Sequence, residues 1–398
     1  MYFDYGCFFS VKIFKNYQSN DYSLVIIYYC TIITVCSLYA AQPIQPVFQQ
    51  AFDLTQLQAI LFTSLMMLPL GFAPLFYGYI LENFCTKQMI SIAVLALGIM
   101  EFLFACSGNY IILLTIRAIQ GLIIPAILTG LMSYISMTSK HEDIQQAMAL
   151  YIGATITGGF LGRFLSGLLT EIFNWRVFFF LLAILLLIGY FLLRHLKTDG
   201  RLELSKPQLS QLIGILKDQR FLLIYLTIFC VFAVFAAVLN LLPFELKSIN
   251  PNFSESGIGL MYLGYIMGLL VSIFNQQLLK LFVHESTLVL IGIVIFIIAT
   301  IGFTFNDYRI MFSFMFVFCT GMFLVHTILS GYLNKLSKQN KALTNGIYLS
   351  FYYTGGAIGS FFPGIIYKLY GWDFFLLIML IILLFAFSFI WKLKSMGH

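Results

Sequence analysis

The chain repeats itself. Pro46 returns as Pro243, Gly71 as Gly268, Gly158 and Gly159 as Gly355 and Gly356, Gly162 as Gly359, Gly167 as Gly364 and Trp175 as Trp372, each 197 positions further on. A fixed period of this kind marks a tandem duplication of one structural unit. Whatever fold the first half adopts, the second must adopt too, so the available architectures reduce to pairs of like bodies.

The repeated unit is apolar. Hydrophobic residues make up 61% of the 398 and charged ones 10%, against about 25% charged in a soluble domain, so little of the surface can face water. Apolar runs near the roughly 20 residues that cross a bilayer as a helix occur twelve times between Leu24 and Trp391. The expected fold is all-α: twelve transmembrane helices in two pseudo-symmetric six-helix bundles, related by a two-fold axis along the membrane normal. Residues 1–23 read as a cytoplasmic lead-in, with Lys12 and Lys15 but no small-residue cleavage site. Residues 24–193 form the first bundle, 194–220 a polar cytoplasmic linker, 221–391 the second bundle and 392–398 a cytoplasmic tail. Cys30, Cys36, Cys106, Cys230 and Cys319 fall inside apolar runs, and no Cys-x-x-Cys occurs. They read as small buried hydrophobes rather than metal or redox groups.

Lys and Arg give the orientation. Sixteen of the 22 lie on the side of the termini and linker, Arg176, Lys247, Arg309 and Lys368 lie on the other side, and Arg117 and Arg163 lie within spans. Cytoplasmic loops keep the positive charge, so both termini are expected inside. The net charge of +6 comes from these short loops and points to the lipid bilayer, not to nucleic acid.

Four local patterns, in order along the chain, resemble the major facilitator superfamily, and with the repeat the resemblance spans essentially the whole chain. Pro43-Ile44-Gln45-Pro46 is similar to the Pro-x-x-Pro signature of twelve-span drug:proton antiporters. Gly78 to Lys87 resembles the superfamily's loop after the second span: Glu82 keeps the acid and Lys87 the last base, while Asn83 and Cys85 replace Arg and Gly. Arg117-Ala118-Ile119-Gln120-Gly121 matches Arg-x-x-Gln-Gly. Gly158-Gly159-Phe160-Leu161-Gly162-Arg163 resembles the antiporter Gly-Pro-x-x-Gly-Gly, with Gly159 and Arg163 as departures. The run through Trp175-Arg176 looks most like the YnfM-like branch of exporters.

The physics of these residues sets the candidate sites. A charge at the bilayer centre costs from about 3 to more than 10 kcal/mol, so Arg117 and Arg163 must face a watery cavity or a partner. Glu101 and Arg117 each lie eight residues from the turn at Asn109, which puts them at one depth at 1.5 Å per residue. Arg163 lies six residues from the outer end of its own span, at a similar depth, so Glu101, Arg117 and Arg163 are expected as one cluster, either a structural ion pair or a proton or substrate site, with Arg117 facing the central cavity. His326 is a candidate proton carrier or an interhelical hydrogen bonder. Gln42, Gln120 and Asn240 are candidate cavity contacts. Glycines four apart let helices approach closely: Gly158, Gly159 and Gly162, with Gly355, Gly356 and Gly359, are expected at contacts between the halves, as static packing or as a seam along which they rock. The resemblance implies that Gly78, Glu82 and Lys87 form a gating loop.

The resemblance also implies a transporter and not an enzyme: a monomeric inner-membrane protein that moves small organic molecules out by proton-coupled alternating access. A small-molecule substrate and protons are the expected partners. No Walker-type loop, His-Glu-x-x-His or Gly-x-Gly-x-x-Gly occurs, so neither ATP use nor a cofactor or metal is expected. The alternative is an uncoupled facilitator or an importer of a neutral or anionic solute. A polytopic enzyme or sensor would need a catalytic cluster or a soluble domain, and the sequence displays neither.

Overall fold

The structure is a computed structural model that describes residues 21–80, 85–139, 144–196, 209–281, 284–337 and 341–396. Among these residues every regular element is helical. The first ten spans are Asp21–Tyr39, Gln56–Ile80, Thr86–Cys106, Tyr110–Thr138, Ile144–Ile172, Trp175–Leu193, Gln219–Ile249, Glu255–Met261 continuing into Ile266–Leu281, Glu285–Gly302 and Tyr308–Leu336. The last run, Lys341–Ser395, holds two spans joined at Gly371, whose φ of 80° and ψ of −177° break the helix. Only glycine adopts that backbone region freely, which is how a 55-residue run becomes the eleventh and twelfth spans without a loop. The twelve-span, two-bundle fold expected from the sequence is the one found.

The duplication survives in the contacts. Gly158 lies against the Ile32 carbonyl and Gly355 against the Phe229 carbonyl, while Gly162 lies against Cys36 and Gly359 against Ala233. Residues 32 and 229, like 36 and 233, are again 197 apart. Arg176, at the start of the sixth span, donates to the carbonyls of Ala105 (2.7 Å) and Ser107 (2.5 Å) at the end of the third. Trp372, at the start of the twelfth, donates to the Phe303 carbonyl at the end of the ninth at 2.8 Å. Two apolar cores form, one within the first half and one in the second that also takes in Ala59, Ile60 and Ile156 from the first. The halves meet where the fifth span packs on the eighth and the second on the eleventh.

Local chemistry accounts for several departures from the sequence reading. The first span is already helical at Asp21, ahead of the expected Leu24, ends at Tyr39, turns and resumes as Gln45–Ala51; the break falls there because Pro43 cannot continue a helix and Pro46 suits the first turn of the new one. The seventh span starts earlier than its apolar run, where Asp218 caps it by accepting from Arg220 N at 2.9 Å. The linker carries a short helix, Leu209–Lys217, where only a polar connection was expected. Cys106, expected buried, is exposed at the end of the third span. The eighth span passes through a 3₁₀ stretch, Tyr262–Tyr265.

Candidate functional site

A cavity of about 610 Å³ lies between the halves, on the side of the linker that joins them. Its walls include Val35, Leu38 and Tyr39 of the first span, Leu128 and Thr129 of the fourth, Tyr151, Ile152, Thr155, Ile156 and Gly159 of the fifth, Phe235 of the seventh, Tyr265, Leu269, Ser272, Ile273 and Asn275 of the eighth, Phe323, His326, Thr327 and Ser330 of the tenth and Leu349, Tyr352 and Tyr353 of the eleventh. Met132, Ile152 and Ile273 at its linker-side rim are exposed. Among the described residues, no Asp, Glu, Lys or Arg lines it.

The opposite side is sealed by glycine contacts between the halves. A Cβ on Gly259 would stand 2.9 Å from the Cα of Phe164, and one on Gly364 would stand 2.9 Å from Ile60 and 3.2 Å from Leu57. Gly167 packs on the Glu255 carbonyl, and Glu171 accepts from Ser256 N at 2.9 Å. A polar tie adds to the seal. Asn240 of the seventh span accepts from Gln45 at 2.6 Å and from Gln42 at 3.5 Å, and donates to the Ser360 carbonyl at 2.9 Å. Gln42 and Asn240 were expected in the cavity; they sit above it because the turn at residues 40–44 carries Gln42 past the end of the first helix, into the seal.

The fifth span shows why neighbouring glycines differ. Residues one apart on a helix point to different sides, and residues four apart share a face. Gly158 and Gly162 therefore both meet the first span, with hypothetical Cβ atoms 2.6 Å from the Ile32 carbonyl oxygen and 2.6 Å from the Cα of Cys36. Gly355, Gly356 and Gly359 meet the seventh span in the same way. These five contacts lie within the halves, not between them, which corrects the sequence expectation. Gly159 and Arg163 face the other half instead: Gly159 lies beside Tyr265.

Arg163 is 1% exposed. It donates from Nε to Gln42 Oε1 at 2.6 Å and from Nη1 to the Gly159 carbonyl at 2.6 Å. Its guanidinium lies over the rings of Tyr39, Tyr265 and Tyr262, at 3.9, 4.7 and 5.0 Å from their centroids. The two tyrosines of the eighth span converge because side chains three apart eclipse in a 3₁₀ turn. Desolvated cation–π contacts are worth about 2 kcal/mol each, which offsets part of the cost of burying the charge. Among the described residues no carboxylate pairs with it. Arg163 is thus not part of the Glu101 cluster expected from depth alone, since it faces the eighth span while that cluster lies inside the first bundle.

Arg117 and Glu101 are fully buried and meet through the first span. Ser37 Oγ donates to Glu101 Oε1, and the Ser37 carbonyl accepts from Arg117 Nη1 at 3.3 Å. Arg117 Nη1 also donates to Gln120 Oε1 at 3.0 Å and contacts Met66 Sδ at 3.3 Å, and its guanidinium lies 4.3 Å from the Phe104 ring centroid. The motif spacing explains the placement. Gly121 packs on the Met66 backbone, so the fourth span lies hard against the second, and Arg117, one turn earlier on that face, is aimed into the bundle. Arg117 and Gln120 accordingly do not line the central cavity, contrary to expectation. Among the described residues, Glu101 Oε2, Arg117 Nε and Nη2 and Gln120 Nε2 make no geometrically formed hydrogen bond, which leaves the pocket bonding capacity to spare.

His326 does line the cavity. Its Nδ1 lies 3.0 Å from the Tyr348 hydroxyl, and its ring centroid is 4.9 Å from that of Tyr352. Lys87 donates to the carbonyls of Arg194, at 2.9 Å, and Leu196, where a cation suits a helix C-terminus. Gly78 lies in the last turns of the second span, and Glu82 falls outside the described residues. The sequence reading missed Ser37, Tyr39, Gln45, Tyr262 and Tyr265. Pro43 and Pro46 signalled the break that frees Gln45; nothing local distinguished the tyrosines from ordinary membrane aromatics.

The sequence profile of the Major Facilitator Superfamily matches residues 27–337. Over 365 residues the chain is 26% identical to an uncharacterized transporter of Buchnera aphidicola subsp. Schizaphis graminum (strain Sg), covering 90% of this chain and 88% of that one. It is 24% identical to the inner membrane transport protein YnfM of Escherichia coli (strain K12), covering 89% and 86%. Among solved structures, a point mutant of the nucleoside transporter NupG superposes with a TM-score of 0.77 at 14% identity, over 95% of this chain and 100% of that one.

Proposed function

The chain belongs to the Major Facilitator Superfamily, and from that premise we propose that it is a proton-coupled exporter of small organic molecules. The observation that carries this reading is the pairing of one cavity, walled by both halves and rimmed on the linker side, with a glycine-packed seal on the other. Moving the seal from one side to the other is alternating access. With the linker side taken as cytoplasmic, on the strength of the Lys and Arg distribution, the described conformation is the one that loads from inside. The plasma membrane of a bacterium is the proposed location, and a monomer the working unit.

The cluster of Glu101, Ser37, Arg117 and Gln120 is the proposed proton site. It joins a buried acid and base on the first, third and fourth spans with spare hydrogen-bonding capacity, so adding or removing a proton there changes how those helices hold together. One proton falling through about 100 mV and one pH unit releases roughly 3.7 kcal/mol. That sustains about a several-hundred-fold solute gradient, so one proton per cycle suffices. A second reading, an uncoupled facilitator or importer, is favoured by the absence of any carboxylate among the described cavity residues, since proton and substrate then share no group. Purified protein in vesicles, with an imposed pH gradient and a panel of solutes, decides: accumulation that collapses with an uncoupler supports coupling, and mere equilibration supports the second reading.

A further inference from the structure

The central cavity has one wall of packed aromatic rings, and one buried cation, Arg163, lies just behind its blind end without lining it. Phe235, Tyr265 and Phe323 contact one another with centroids 5.4 to 5.9 Å apart, and all three line the cavity. Such a surface offers π-faces to a flat ring. At the sealed end, Gly159 lines the cavity, and a Cβ built on it would stand 3.5 Å from Arg163 Nη1. With no side chain at Gly159, only a gap the size of one Cβ separates the cavity from the guanidinium. Arg163 is held there by Gln42, by the Gly159 carbonyl and by tyrosine faces. It has no carboxylate partner among the described residues, so no neighbouring acid stands between it and an anion placed against Gly159. A buried charge gains from a counter-ion far more than a solvated one does.

We propose that this cavity takes planar aromatic anions, the ring lying against Phe235, Tyr265 and Phe323 and the negative group placed against Gly159, beside Arg163. This deepens the exporter reading by naming its substrate class. A cationic ligand would bring like charge toward Arg163, with no acid among the described cavity residues to compensate it. An aliphatic anion would meet the charge but leave the ring wall unused.

The test is equilibrium binding to purified protein in lipid nanodiscs, without any ion gradient. Three probes share one ring system: 1-naphthoate, the neutral 1-naphthamide and the cationic 1-naphthylmethylammonium. The expected order is naphthoate tightest, by about tenfold or more over the amide, which is about 1.4 kcal/mol. Arg163→Gln should bring naphthoate and naphthamide to equal affinity. Gly159→Ala fills the gap and keeps the charge, and its nearest neighbour would be the edge of the Tyr265 ring at 3.3 Å, a small adjustment for a side chain that faces a cavity. It should lower naphthoate affinity more than naphthamide affinity even where Arg163→Gln does not fold. Phe323→Ala should weaken all three probes alike. The proposal is overturned by a cation that binds tightest, by no binding of any probe, or by an anion preference that persists in folded Arg163→Gln or in Gly159→Ala. Because no gradient is involved, these outcomes are independent of whether transport is proton-coupled or outward.

Discussion

Gly162 and Cys36 touch backbone to backbone: a Cβ on Gly162 would lie 2.6 Å from the Cα of Cys36. Both residues belong to the first bundle, so the contact persists whichever way the halves are tilted. Gly162→Ala should therefore act on stability, with an overpacking cost of about 1–3 kcal/mol. It is expected to lower the melting temperature in detergent while leaving the balance of inward and outward accessibility in the folded fraction unchanged. An altered accessibility at an unchanged melting temperature would return this glycine to the moving interface.

The contact expected to break during transport is Glu171 to Ser256, which join the fifth and eighth spans on the sealed side at 2.9 Å. Cysteines at these two positions, in a chain otherwise free of cysteine, should cross-link readily in the conformation described. Substrate together with a proton gradient should slow that cross-linking several-fold. Equal rates in a transport-active sample would mean that the seal on this side stays shut through the cycle.

Glu101→Gln keeps the size of the side chain and an acceptor for Ser37, but cannot carry a proton. It should abolish gradient-driven accumulation while preserving solute exchange down a concentration difference. Arg117→Ala removes the partner of Gln120 and of the Ser37 carbonyl, and should lose accumulation in the same way with the protein still folded in detergent. Parallel loss of exchange and accumulation in both variants, measured in the same vesicles, would make the cluster structural and not coupling.

Gly371 isolates a backbone effect. A Cβ there would meet nothing within 4 Å, yet φ is 80° and ψ is −177°, a combination that costs other residues about 1–3 kcal/mol. Gly371→Ala should lower thermal stability by that order, and Gly371→Val by at least as much. An unchanged melting temperature for both would show that the junction of the last two spans adapts to a side chain.

Spans, duplication and motif positions were legible in the sequence because bilayer length and a fixed period are one-dimensional constraints. The direction each side chain takes was not. Depth counted from Asn109 put Glu101 and Arg117 together, and they do share the Ser37 node. A count of six residues from the outer end of the fifth span put Arg163 with them, although that span turns the residue toward the eighth. Gly158 and Gly159 differ by one position and face different halves, because about 100° of helix rotation separates them. Tyr262 and Tyr265 converge on Arg163 only because four residues of the eighth span wind as a 3₁₀ turn, and neither composition nor spacing announces that.

The glycine contacts between the first and fifth spans, and the bonds from Arg176 to the end of the third, close wholly within the first half of the chain. At synthesis rates of about 5–20 residues per second, roughly 10–40 s pass between emergence of that half and of its twin. The first bundle holds the backbone contacts it needs to settle in the bilayer during that interval. The later half is then expected to dock against a surface already made, completing the shared core with Ala59, Ile60 and Ile156 last.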